Sequence, residues 1–336
     1  MTLISKAKIK LSSIFFFLLL AIGSTFFFSL YSFLYKPLDK NAGSKVFIIK
    51  SGESLDDISK NLEKKSIIKS SEYFKLFVIF KKAGKKLQAG EYLLSASKSP
   101  LQIFDMLLQG RINLYKITIP EGFNIKEISV LFAKKSLCSS LEFTKLCFDK
   151  KLINSFKIKA NSLEGYLFPD TYFFAKQASC RQIISAMVKG FKKKIILKWE
   201  SRIADLGFSL HDIVILASMI EKETGDASER PLISSVFHNR LKKKMRLESD
   251  PTVIYGIKDF NGNIKKKHLK IKTPYNTYRI KGLPLGPIAN PGEMSLHAAL
   301  YPAKTDYLFF VSKNDTTHKF SKTIKEHNKA VRKYQM

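Results

Sequence analysis

At 336 residues and 38.3 kDa the chain is too long for one compact core and has the length of two or three modules. Its 45% hydrophobic and 12% aromatic content excludes a disordered tail, and three cysteines exclude a small disulfide-stapled domain. Lys and Arg number 58 against 28 Asp and Glu, a net charge of +30, which suits nucleic acid, an anionic lipid surface, or simply a lysine-rich codon usage.

The run from Leu11 to Tyr35 holds no charged residue and includes Phe15–Leu20 and Phe26–Phe28. A bilayer core needs about 20 apolar residues as helix, so 11–35 is predicted to span a membrane once. Lys6, Lys8 and Lys10 precede it, which places residues 1–10 in the cytoplasm. A cleaved signal would have small residues after a shorter apolar core, whereas Tyr31–Tyr35 is bulky. The rest of the chain is then expected outside the cytoplasm, away from nucleic acid.

Val46–Ile49 reads as a strand, and Ser54 can cap a helix carrying Leu55, Ile58 and Leu62. A helix around Tyr73–Phe80, a turn at Ala89-Gly90, a strand at Glu91–Leu94 and a helix from Leu101 to Leu108 come next. This strand–turn–helix opening resembles a LysM-like module, a fold that grips N-acetylglucosamine chains. Tyr115–Ile119, Pro120-Glu121-Gly122 and a helix with Ile125, Ile128 and Leu131 make a second such unit, so 44–132 is expected to hold LysM-like and linking α/β modules. Residues 133–160 read as a lysine-rich connector in which Cys138 and Cys147 either pair or remain two small hydrophobes.

Residues 161–336 carry the chemistry. Leu163–Tyr172 sets Gly, Pro and Asp among large aromatics, as a structured loop would. The helix starting at Leu210 places Ile213, Leu216, Ala217 and Ile220 on one face and ends near Gly225. Glu223 continues that apolar face, whereas Glu221 turns toward Val214 and Ser218. A carboxyl on an inward face loses solvation of its charged form and keeps its proton, so Glu223 is the candidate general acid. The competing reading is a Glu223 neutralised by Lys222 or Arg230. A new helix is expected with Ile233, Val236, Phe237 and Leu241. Four prolines between 274 and 291 then demand a long ordered loop. The six histidines lack metal-ligand spacing, so no metal and no cofactor are expected.

Ala217–Thr224, Asp250–Gly256, Tyr275–Tyr278, Gly282-Leu283-Pro284 and the closing pattern of His318, Phe320 and His327-Asn328 resemble the endolytic murein transglycosylase family (MltG/YceG-like). The resemblance is continuous from about Leu163 to Val331 and looser over 44–132. It implies an α+β protein with a single N-terminal transmembrane helix, a small LysM-like subdomain and a mixed α+β catalytic domain. It also implies a single-pass enzyme of the bacterial inner membrane whose outer domain acts on peptidoglycan glycan strands and contacts wall synthases.

By the same resemblance Glu223 is catalytic. It protonates the oxygen between N-acetylmuramic acid and N-acetylglucosamine, then acts as base on the sugar's 6-hydroxyl, leaving a 1,6-anhydro end and terminating strand elongation. Thr224, Asp250, Thr252, Tyr255, Asn276, Tyr278 and His318 are the expected substrate-binding residues. A hydrolase would need a second carboxylate, and Asp250, Glu221 and Glu229 are available. Asn290 stands before Pro291 where the family leads one to expect a small hydroxyl residue. The alternative from another class is a non-catalytic, membrane-anchored peptidoglycan-binding scaffold.

Overall fold

The computed structural model describes residues 3–258, 260 and 262–335; Met1 and Thr2 of the expected cytoplasmic segment lie outside them. The chain divides into two units, residues 1–115 with 175–177, and residues 116–174 with 178–336.

The first unit opens with helix α1 (Leu3–Tyr35), which extends beyond the apolar run at its N-terminal end. Its segment Phe15–Tyr35 is long and apolar enough to cross a membrane and is only 11% buried. There follow β1 (Ser44–Ile49), α2 (Leu55–Lys64), α3 (Ser71–Phe80), β2 (Gly90–Ser95) and α4 (Pro100–Leu108). Each helix begins where a serine hydroxyl accepts a backbone N–H: Ser54 from Asp57, Ser70 from Tyr73 and Ser99 from Gln102. β1 and β2 pair antiparallel with Phe47 opposite Tyr92, and both side chains are buried. Leu62, Phe74, Leu94 and Leu107 complete that core. The result is a β-α-α-β unit, with the strand and helix positions close to those read from the sequence.

β3 (Leu114–Thr118) pairs with β4 (Thr171–Ala175). The intervening chain forms α5 (Ile125–Lys134), α6 (Ser140–Cys147) and α7 (Lys150–Ser155), then α8 (Cys180–Phe191), a π-helical turn and α9 (Leu197–Asp205) follow. Residues 133–160 thus carry two short helices with Phe143, Cys147, Leu152 and Ile153 buried. The pairing of Cys138 with Cys147 does not occur. Cys138 is bonded to Cys180, and Cys147 is free and buried. This bridge closes a loop of 42 residues, so its loss to reductant or to Cys180→Ser should destabilise the second unit by about 4 kcal/mol. A thermal melt with and without reductant checks this.

The centre of the second unit is α10 (Leu210–Glu223), packed against α11 (Arg230–Lys242), α12 (Asp250–Gly256) and α13 (Glu293–Leu300). All residues from Ile213 to Ile220 are buried. The helix is therefore enclosed all round, where one apolar face was expected. Gly165 shows how closely it is covered: with φ +85, a Cβ there would lie 2.5 Å from Val214 Cγ1 and 2.7 Å from Pro287 Cγ. The unit closes with the antiparallel hairpin β5 (Phe309–Ser312) and β6 (His318–Ser321), in which Ser312 faces His318, and with α14 (Ile324–Tyr334).

Candidate active site

α10 starts in a reciprocal cap between Ser209 and Asp212 and ends at Glu223, where Thr224 turns extended (φ −143, ψ 141). Thr224 is buried, and its hydroxyl accepts the Asp226 N–H at 3.0 Å, directing the chain into α11. The proline-rich segment is tied to the same helix: Ser218 Oγ accepts the Ile288 N–H at 3.1 Å. The end of α10 is thereby fixed from two sides.

Glu223 opens into a cavity of about 410 Å³. Arg240, Leu247, Glu248, Asp250 and Tyr278 line it on one part, and Phe309–Ser312, His318 and residues of α14, including His327, on another. The Ser249 hydroxyl donates to Glu223 Oε1 at 2.5 Å. Burial pushes the Glu223 carboxyl up to about 7, and the neighbouring Asp250 charge adds to the shift; the Ser249 hydrogen bond and Arg240 oppose it. Glu223 thus keeps its proton up to about pH 7, and the Ser249 hydroxyl orients its Oε1.

Glu221 differs from it by its partners more than by its exposure. Its side chain is 6% exposed, Oε1 lies 3.3 Å from Arg230 Nη2, and Oε2 accepts the Gly292 N–H at 2.9 Å. Arg230 also approaches Glu121 at 3.8 Å. The cation proposed from sequence to neutralise Glu223 is therefore spent on Glu221, and Lys222 donates to the Gly122 carbonyl. A Cβ at position 292 would meet the Glu121 carboxyl group, which would have to swing aside.

Besides Thr224, which is buried at the end of α10, the expected substrate-binding residues fall into three groups. Asp250, Tyr278 and His318 line the cavity with Glu223; the Tyr278 hydroxyl donates to Asp250 Oδ1 at 2.8 Å. Burial, then the Asp250 charge, raises the Tyr278 ionisation, so the phenol keeps its proton. Thr252 and Asn276 are fully buried and bonded to their neighbours. Thr252 Oγ1 donates to the Ser249 carbonyl at 2.6 Å and bonds Thr277 Oγ1 at 2.8 Å, and Thr277 accepts the Ser249 N–H. Asn276 donates to the Leu269 and Ile271 carbonyls and accepts the Tyr278 N–H at 2.9 Å. Thr252 therefore holds Ser249, and Asn276 holds Tyr278. Tyr255 lies elsewhere: it lines a separate cavity of about 850 Å³ and donates to Glu164 Oε2 at 2.9 Å.

Glu164, with Ser249 and Arg240, was not singled out from the sequence. It is buried and accepts from the Ile125 N–H, Tyr255 and Asn290. Burial raises it to about 7 as well, against those three donors. Asn290, the residue standing where a small hydroxyl was expected, is fully buried and spans three segments: Nδ2 donates to Glu164 Oε1 and the Phe123 carbonyl, and Oδ1 accepts the Leu167 N–H. A short hydroxyl residue has one hydrogen to donate and cannot replace both donations. Both carboxyls favour the neutral form and both line cavities, but Glu164 accepts from three donors whereas, among the described residues, Glu223 accepts from Ser249 alone.

The chain matches the YceG-like family over residues 47–333. An endolytic murein transglycosylase of Bacillus subtilis (strain 168) is 37% identical over 332 residues, covering 94% of this chain and 91% of the relative. One of the same name from Streptococcus pneumoniae (strain ATCC BAA-255 / R6) is 28% identical over 308 residues, 82% of this chain and 56% of the relative. Among solved structures, the 2.6 Å crystal structure of the YceG-like protein lmo1499 from Listeria monocytogenes superposes with a TM-score of 0.60 at 35% identity, covering 86% of this chain and all of that one. A family match across most of the chain, together with a relative of this identity and coverage, establishes that the chain belongs to the YceG-like family.

Proposed function

We propose that this protein is an endolytic murein transglycosylase, a lyase that cuts peptidoglycan glycan strands internally and so ends the growth of nascent strands. The observation that carries the reading is Glu223: a carboxylic acid raised to about 7, facing a cavity, and without an ion pair among the described residues. The names of the relatives in Bacillus and Streptococcus support it. Glu223 gives its proton to the oxygen between N-acetylmuramic acid and N-acetylglucosamine. The sugar's own 6-hydroxyl then closes on C1 to form the 1,6-anhydro end. In its simplest form the same carboxylate takes the proton of that hydroxyl. Asp250, Tyr278 and His318 contact the sugars, Thr252 and Asn276 keep Ser249 and Tyr278 in place, and Thr224 fixes the end of α10.

Hydrolysis would need a second, available carboxylate. Glu221 is tied to Arg230 and Glu229 to His318, while Asp250 lines the cavity with its Oδ1 bonded to Tyr278. The names of the relatives favour the lyase over the hydrolase.

The remaining parts take supporting roles. The exposed Phe15–Leu20 and Phe26–Phe28 side chains of α1 need an apolar surround, which a bilayer supplies, with residues 1–10 cytoplasmic and 11–35 spanning. A disulfide between Cys138 and Cys180 suits an extracytoplasmic location for the chain beyond α1. The β-α-α-β unit is the LysM-like, glycan-gripping part of the segment 44–132, and residues 161–336 form the catalytic region. Wall synthases that make the strands are the expected protein partners; nucleic acid is not.

Because the reactive form of Glu223 is the protonated one, kcat/KM is expected to fall tenfold per unit above about pH 7. Ser249→Ala removes a donor that favours the charged carboxylate, so the falling limb moves to higher pH. A pH–rate series on both proteins checks the sign. The reading itself is tested by incubating the full chain in detergent micelles with long uncross-linked glycan strands. Internal fragments with 1,6-anhydro ends support it. Strands that are bound but never shortened leave the scaffold alternative in its place.

A further inference from the structure

When the 6-hydroxyl closes on C1, its hydrogen must leave as the new bond forms. Glu248 lies 3.2 Å from Arg240 Nη1, and Asp250 Oδ1 accepts from the Tyr278 hydroxyl. His318, on the strand β6, offers another acceptor in the same cavity. Its backbone N–H donates to Glu229 Oε1 at 2.8 Å, and its Nδ1 lies 2.7 Å from Glu229 Oε2. The two side chains are only 11% and 10% exposed. A ring nitrogen facing a carboxylate at this distance carries the hydrogen, which leaves the lone pair on Nε2. Phe310 meets the ring edge-on at 5.4 Å and 89°, fixing its plane. Among the described residues no hydrogen bond engages Nε2, and this atom is not among the sealed, unpartnered polar atoms of the interior.

We propose that His318, oriented by Glu229, is the base that receives the proton of the 6-hydroxyl during ring closure, so that Glu223 and His318 divide the acid and base work. This rests on the transglycosylase reading and changes its last step. Glu223 protonates the bridging oxygen as the glycosidic C1–O bond breaks and the electron pair leaves with that oxygen. O6 supplies the pair for the new C1–O6 bond, and its hydrogen passes to Nε2. The imidazolium formed lies against the Glu229 carboxylate, which offsets its charge. Solvent then takes a proton from His318 and returns one to Glu223, so the cycle closes without any other reactant.

The test compares the full wild-type chain with His318→Ala, His318→Gln and Glu229→Gln on uncross-linked glycan strands. Kinetics and the ratio of 1,6-anhydro to reducing ends are read together. His318→Ala is expected to lower kcat about 10²-fold with KM little changed, and to raise the share of reducing ends as water captures C1. His318→Gln places an amide oxygen near the position of Nε2 and should recover part of the anhydro share; Glu229→Gln should shift kcat and the end ratio in the same sense as His318→Ala, but less. If His318→Ala does not fold, the two amide variants carry the test. A slower enzyme with the wild-type end ratio, or a change in KM alone, overturns the proposal and leaves His318 a structural contact. Failure of the underlying reading looks different, because the wild type itself would then produce no anhydro ends.

Discussion

Replacing Glu223 by Gln is expected to slow strand cleavage by about 10³-fold while leaving the melting temperature and strand binding close to wild type. The amide keeps the shape of the side chain and still accepts the Ser249 hydroxyl, which now lies 2.5 Å from Oε1. It has no proton to give. A carboxyl that burial already holds at about 7 is costly for the fold to ionise, so its removal should not destabilise the unit. Chromatography of strand lengths gives the rate, and co-sedimentation with insoluble strands gives the binding. A variant retaining more than about a tenth of wild-type cleavage would remove Glu223 from the role of acid, since positioned proton transfer contributes at least two orders of magnitude.

The second large effect is on stability. Arg230→Met is expected to cost about 3–5 kcal/mol, because it strips the cation from a carboxylate that is 6% exposed and leaves that charge unpaired. Glu121, at 3.8 Å from the same guanidinium, would then face Glu221 with nothing between the two charges; burial, then the Glu221 charge, already raises its carboxyl. Urea unfolding of the second unit reads the loss. Adding Glu221→Gln to Arg230→Met should restore a good part of it, since the double variant buries no lone charge. A cost below about 1 kcal/mol would mean that water reaches Glu221, and the contrast drawn between the two glutamates at the end of α10 would fail.

That contrast also shows what the sequence makes legible. Ser54, Ser99 and Ser209 announce their helices locally, because each hydroxyl caps a donor within three residues. The buried alternation around Phe47 and Ile49, and the loop forced by Pro274–Pro291, are read the same way. For Glu221 and Glu223 periodicity separates faces, but α10 is buried all round from Ile213 to Ile220 and both carboxyls are largely shielded from solvent. Their difference lies in Arg230 and Ser249, which come from other segments. Long-range pairs of this kind leave no local mark: Asn290 reaches Phe123 and Glu164 across 167 and 126 positions. Cys138 pairs with Cys180 across 42 positions and not with the nearer Cys147, which packs on α6. Thr252 and Asn276 carry groups that suit sugars, yet the fold spends those groups on Ser249 and Tyr278. The type of a residue and its motif show where chemistry gathers, whereas contact with the substrate is decided by burial.

The most direct measurement is the digestion of purified glycan strands by the full chain in water enriched in oxygen-18, with the new ends read by mass spectrometry. Ring closure by the sugar's own 6-hydroxyl predicts internal fragments with 1,6-anhydro ends that carry no heavy oxygen, all lost in Glu223→Gln. Reducing ends that take up one oxygen-18 each would show that water attacks C1, and would contradict the lyase.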